Sequence, residues 1–147
     1  ALSNQTDEVS FSQDPLTSAT GCIRGEETPW IEQYLNGSPN QITVNTRTMD
    51  SEVENNKRPS LIKIDVEGHE VDVLEGAIHT LFDAKPLLII ESFPPKQKQV
   101  ISLLQTYGYN LEDADRGSPV NLKTNNLFTW HPQGSLKESI IQKVLHK

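Results

Sequence analysis

Four residues with acid–base capacity fall close together in Asp65-Val66-Glu67-Gly68-His69-Glu70, and Asp65, Glu67 and His69 are the candidates for chemistry among them. A further acid, Glu91, closes the apolar run Pro86-Leu87-Leu88-Ile89-Ile90-Glu91. A carboxylate at a strand end can orient a hydroxyl, or take its proton in a transition state when its pKa is raised. Glu67 leaves the same turn, and Gly68 lets the backbone bend close to a ligand. Glu70 suits the positive end of a helix that opens at this point. Each residue also has a plainer role. Asp65 and Glu67 suit capping and first-turn positions, His69 an exposed first turn, and Glu91 a solvated strand terminus. Asp65, Glu67, Glu91 and His69 together offer hard oxygens for Mg²⁺ or Ca²⁺, with the imidazole shifting preference toward transition metals. Their spacing fixes no coordination geometry, so none is assigned as a metal ligand.

The elements that must position these residues are clearest after Ser60. Leu61 to Val66 is apolar apart from Lys63, the pattern of a strand buried on both faces. Val71, Leu74, Ala77, Ile78 and Leu81 recur at helical spacing, which predicts one helix over residues 69–83. Residues 86–91 give a second buried strand. Lys96 to Tyr107 gives a second helix with Val100, Leu103, Leu104 and Tyr107 on one face and Gly108 as its stop. Shorter strands follow at Tyr109–Leu111 and Asn126–Trp130, then an amphipathic helix carrying Leu136, Ile140, Ile141 and Val144. The order β-α-β-α-β-β-α implies a parallel α/β sheet with helices on its faces and an antiparallel hairpin at one edge. In such sheets, ligands bind at the carboxyl ends of the strands.

Residues 1–59 read as an irregular segment. Two short strands are expected, at Glu8–Ser12 and Gln41–Thr46, around a loop rich in Ser, Thr, Gly and Pro with one helical turn near Trp30 to Leu35. A short helical start at Thr48–Glu52 and a polar linker at Asn55–Pro59 complete it. Residues 60–147 then form the structured part of a single domain.

Composition narrows the partners. The chain has 147 residues, 35% hydrophobic, and a net charge of −7, which argues against nucleic acid or an anionic membrane as partner. No apolar run approaches the roughly 20 residues of a membrane span, and no signal peptide opens the chain. A single cysteine, Cys22, excludes an intrachain disulfide and fits a reduced, cytoplasmic setting. The chain begins at Ala1 and its only methionine is Met49, so it reads as part of a longer polypeptide. Trp30, Tyr34 and Trp130 are large aromatics outside the main core elements; Trp30 fits a loop anchor better than an acceptor lid. His79, His131 and His146 read as structural or solvent-exposed, and two Asn-x-Ser/Thr matches, at Asn4 and Asn36, carry no weight without a secretion signal.

The runs Ile62-Lys63-Ile64-Asp65-Val66-Glu67-Gly68-His69-Glu70, Val73-Leu74-Glu75-Gly76-Ala77 and Pro86 to Glu91 resemble the FkbM-type methyltransferases. Ala1-Leu2-Ser3, Thr46-Arg47-Thr48-Met49-Asp50, Gly108-Tyr109 and Asn126-Leu127-Phe128 are fainter echoes of the same family. The resemblance implies S-adenosylmethionine-dependent methyl transfer, mostly to oxygen, on a Rossmann-like class I sheet of order 3-2-1-4-5-7-6. This chain would supply strands 4-5-7-6, the last hairpin antiparallel, with helices on both faces. The family's glycine-rich donor loop and its ribose-binding acid are absent, and no Gly-x-Gly occurs. The strand at Leu61 would then be an unpaired apolar edge, which isolated proteins avoid. The expected partner is therefore the missing amino-terminal half of the domain, and residues 1–147 alone are expected to be inactive.

On that resemblance Asp65, Glu67 and His69 are the catalytic candidates, Glu91 lines the acceptor side, and Ala1, Leu2, Ser3 and Asp65 face the donor. The acceptor would be a hydroxyl of a small molecule, sugar or lipid. Alignment carries much of such a displacement, and a general base adds about 10²-fold or somewhat more. Two other readings stay open: a non-catalytic half-domain that pairs with another chain, and a Mg²⁺-dependent hydrolase using Asp65 and Glu67.

Overall fold

The computed structural model describes residues 1–14, 21–23, 39–54, 56–112 and 125–130, the last six and Glu112 by backbone alone. The expected helical turn at 30–35, the helix at 136–144, and Trp30, Tyr34, His131 and His146 lie outside these residues.

Two small sheets form. In the first, β1 (Glu8–Gln13) lies between β2 (Gly21–Ile23) and β3 (Asn40–Asn45), antiparallel to both. A polar ladder ties β1 to β3: Ser10 Oγ donates to Gln41 Oε1, and Gln41 Nε2 donates to the fully buried Ser12 Oγ, each at 2.8 Å. Cross-strand pairs of this kind specify register as well as adding stability. The strand β2 was not expected. Three residues set between loops carry too little alternation to be read.

The second sheet has the order β4-β5-β7-β6. Its strands are β4 (Leu61–Ile64), β5 (Leu87–Glu91), β6 (Tyr109–Glu112) and β7 (Asn125–Trp130). β4 and β5 run parallel, with Leu61 opposite Leu87 and Ile64 opposite Ile90. β7 is antiparallel to both β5 and β6. Burial on both faces holds for the interior strand β5, where Leu87, Leu88 and Ile90 are buried. It fails for β4, where Leu61 is 46% exposed and only Ile64 is buried. β4 is the outermost strand of this sheet among the described residues, so one of its sides has no neighbour to cover it.

The helix expected over 69–83 is two helices, α2 (Glu70–Glu75) and α3 (Ile78–Asp83). The reason lies in a preceding helix, α1 (Met49–Glu54), whose Asp50 enters the ladder. The Asp50 backbone N–H donates to Gly76 O at 3.0 Å, removing the acceptor that the next turn needs. The Asp50 carboxylate then accepts from His79 N at 3.0 Å and Thr80 N at 2.7 Å, serving as a cap supplied from another element. Thr48 caps α1 in turn, its Oγ1 accepting from Ser51 N at 3.2 Å.

The core joins Val73, Leu74, Ala77 and Leu81 to Ile64, Leu88 and Ile90 of the sheet and to Val100 and Leu104 of α4 (Lys96–Thr106). Ile78, expected on the apolar face, is 38% exposed at the start of α3, and Val73 of α2, outside the expected set, is buried. Tyr109 closes the core, its hydroxyl donating to Leu81 O at 3.3 Å. Among the described residues no helix is long and apolar enough to cross a membrane.

Candidate functional site

The turn after β4 is tightly specified. Glu67 and Gly68 both adopt positive φ, 48° and 94°. For Glu67 that conformation costs on the order of 1 kcal/mol, so neighbouring contacts must hold it. Gly68 N donates to Glu70 Oε1 at 2.8 Å, and Lys96 Nζ donates to Gly68 O at 2.7 Å. Glu70 is 2% exposed, so its place at the start of α2 serves the turn rather than a solvated helix dipole. Its second oxygen, Oε2, is buried with no protein partner. The contact from Lys96 links the turn after β4 to the start of α4, beyond β5.

Asp65 stands immediately after β4. Lys63 Nζ donates to its Oδ2 at 2.7 Å in a partly exposed pair. The Lys63 amine is held above its ordinary range, by that hydrogen bond first and by the Asp65 charge second. An ammonium group therefore stands beside one oxygen of Asp65.

His69 precedes α2, and both of its ring nitrogens have partners. Nδ1 lies 3.3 Å from Asp72 Oδ2, and Nε2 lies 3.0 Å from Ser3 Oγ. The ring thus bridges the Asp72 carboxylate and the Ser3 hydroxyl, which also donates to Asn4 Oδ1 at 3.4 Å. Ser3 belongs to a segment that lies parallel to residues 45–47: Ala1 N donates to Asn45 O at 2.8 Å, Arg47 N to Ala1 O at 2.9 Å and Ser3 N to Arg47 O at 2.9 Å.

A cavity of about 290 Å³ opens where these elements meet. Ala1, Leu2, Asp65 and His69 all line it, with Ile62, Ile64 and Val66 from the β4 segment. Phe11 and Ile23 of the first sheet and Met49 and Val73 supply more apolar wall. Ser3 stands behind His69 rather than in the wall. Glu67 and Glu91 do not line the cavity; Glu91 closes β5, opposite Asn125 of β7. A larger open cleft of about 760 Å³ lies by α1 and α3 and contains none of the sequence candidates. Its Asp50 carboxylate accepts from two backbone N–H groups, and the smaller cavity is the one that brings Asp65 and His69 together. Among the described residues no three His, Cys, Asp or Glu side chains come together as metal ligands.

Sequence reasoning missed Asp72, although its spacing of three from His69 on a helix was a usable signal. It also missed the apolar wall from Phe11 and Ile23, for which local sequence carried no signal.

A protein-family model described as the methyltransferase FkbM domain matches residues 1–111. No curated protein matches the chain. A crystal structure of methyltransferase FkbM from Methylobacillus flagellatus KT is 20% identical, with a TM-score of 0.43. The alignment covers 60% of this chain and 24% of that one, so this chain corresponds to a minor part of that protein's length.

Proposed function

The chain belongs to the methyltransferase FkbM domain family, and from that premise we propose that it carries the acceptor-side half of an S-adenosylmethionine-dependent O-methyltransferase. The observation that supports this best is the cavity wall, which joins Ala1 and Leu2 to Asp65 and His69. In this reading residues 60–147 belong to the second half of a Rossmann-like class I sheet with helices on both faces, and Ala1, Leu2, Phe11 and Ile23 meet it at the end of β4. Polypeptide outside residues 1–147 supplies the glycine-rich donor loop and pairs with the free edge of β4. At about 290 Å³ the cavity is at the small end of ligand sites, which run from about 300 to 1,000 Å³, as one wall of a larger site would be.

The residues present fit part of the donor. Leu2, Ile62, Ile64 and Val66 offer apolar surface to an adenosyl group, and the Asp65 carboxylate offers a counter-charge to a cation. When bound, S-adenosylmethionine supplies an electrophilic methyl group on a sulfonium. Asp65 would orient the acceptor hydroxyl toward that methyl group and hold the proton the hydroxyl gives up. Lys63 fixes one carboxylate oxygen so that the carboxylate meets the hydroxyl in one orientation. His69 holds the cavity wall between the Ser3 segment and α2, while Glu67 and Glu91 shape the acceptor entrance from the turn and from the end of β5. The acceptor is a small-molecule, sugar or lipid hydroxyl.

In the full-length protein, Asp65→Asn should lower turnover by about 10²-fold while the dissociation constant for S-adenosylhomocysteine changes by less than about threefold. Unchanged turnover would remove Asp65 from the chemistry. Residues 1–147 alone should not bind the donor in a calorimetric titration, and tight binding there would refute the division of the site.

A further inference from the structure

Asp72 does not line the cavity, yet it is the hub of the contacts that hold one of its walls in place. Its two carboxylate oxygens are used in different directions. Oδ2 takes the His69 Nδ1 contact at 3.3 Å, and Oδ1 accepts from Asn4 Nδ2 at 3.2 Å. Asn4 also reaches Glu75 Oε2, one turn further along α2, at 3.3 Å. On the far side of the imidazole, Nε2 meets Ser3 Oγ at 3.0 Å. The segment Ala1–Asn4 is thus fastened to α2 by two consecutive side chains, one directly through Asn4 and one through His69. The backbone there is in close contact as well. A Cβ on Gly76 would fall 2.0 Å from Ser3 O and 3.2 Å from Asn4 Cα, so the segment rests on the end of α2 with no room for a side chain.

A Ser–His–Asp chain of this geometry also invites a comparison with nucleophilic catalysis. The surroundings argue otherwise. Ser3 is 6% exposed and does not line the cavity, and its own N–H is committed to Arg47 O. The chain therefore fits a fastening that fixes a ring and a segment, with Asp72 as its anchor.

We propose that Asp72 is a positioning residue for donor binding. Through His69 and Asn4 it fixes Ala1–Asn4 against α2 and so preforms the wall that meets the adenosyl group. This rests on the methyl-transfer reading above. Preorganisation of this kind appears in affinity for the ligand, because a loosened wall must be ordered again each time the ligand binds.

The test uses the full-length protein and S-adenosylhomocysteine as probe, titrated by calorimetry into wild type, Asp72→Ala, Asn4→Ala and the double variant. Asp72→Ala should weaken binding about tenfold, equivalent to about 1.4 kcal/mol. Asn4→Ala, a change at an exposed side chain, should weaken it about threefold. The double variant should bind more weakly than Asp72→Ala by less than the roughly threefold that Asn4→Ala costs alone, because Asp72 carries one of the two contacts of Asn4 and Glu75 the other. In turnover assays the donor KM should rise about tenfold for Asp72→Ala, while kcat at saturating donor falls by no more than about threefold. If wild type binds and both single variants bind equally well, the positioning role is wrong and methyl transfer stands. A fall in kcat with unchanged donor KM would also overturn it. If wild type itself binds no donor, the methyl-transfer reading falls and takes this role with it.

Discussion

Replacing Gly76 with alanine tests how closely the amino-terminal segment is seated. Gly76 has φ −79° and ψ 3°, a conformation alanine adopts without strain, so any cost must come from space rather than backbone. The new Cβ would lie 2.0 Å from Ser3 O and 2.9 Å from Ser3 C, where ordinary contact begins near 3.4 Å. The two backbones must therefore separate by about 1.4 Å at this point. That movement stretches Ser3 N–Arg47 O from 2.9 Å and Ser3 Oγ–His69 Nε2 from 3.0 Å, both beyond hydrogen-bonding range if the segment moves as a unit. Overpacking of a close contact costs about 1–3 kcal/mol, and each hydrogen bond about 1 kcal/mol. Alanine returns up to about 1 kcal/mol by narrowing the conformational freedom of the unfolded chain. The net expectation is a loss of about 2–4 kcal/mol, or about 5–15 °C in melting temperature for a chain of this size. Thermal unfolding followed by circular dichroism measures it directly. A Gly76→Ala variant that melts within 2 °C of wild type, or above it, would refute the close seating of Ser3 on α2 and the clamp built on it.

Two further outcomes follow from contacts elsewhere. Asp50→Ala removes the cap on His79 N and Thr80 N and should cost about 1–2 kcal/mol, read as a lower urea midpoint; Asp50→Asn, which keeps one acceptor oxygen, should recover part of it. Burial pushes the Tyr109 phenol well above its ordinary range, so the folded protein keeps that proton at pH values where the unfolded chain has released it. Above about pH 10 the unfolded state then binds fewer protons than the folded one, and stability falls as pH rises. Comparing urea midpoints at pH 9 and pH 11 should show this decline, and Tyr109→Phe should make it shallower. An equal decline in the variant would place the alkaline sensitivity elsewhere.

The legible parts of this fold are those whose signal is local. β5 announces itself because an interior strand is apolar at nearly every position, and α4 because Val100 and Leu104 repeat at helical spacing before Gly108. β4 has almost the same composition as β5, and its apolar pattern alone reads as a strand buried on both faces; only the family resemblance pointed to an edge at Leu61, where β4 is outermost among the described residues. The split between α2 and α3 was hidden for a different reason. It is imposed by Asp50, more than twenty positions upstream, and the apolar pattern continues across the break at Ala77 and Leu81. Of the site, the turn at Asp65–Gly68 and the helix start at His69 were readable from residue types. The fastening of His69 to Ser3 was not, because the two are 66 positions apart and each looks ordinary in its own neighbourhood.

The capping of α3 by Asp50 has a consequence for local opening. The His79 and Thr80 amides sit in the first turn of α3, where amides lack partners within the helix and exchange readily with solvent. Here both are bonded to a carboxylate on α1. They exchange when the Asp50 carboxylate releases them, so the two amides report a contact with a different element from the one that contains them. Deuterium uptake at His79 and Thr80 should follow uptake in residues 49–54 under mild denaturant, and both should rise together in Asp50→Ala.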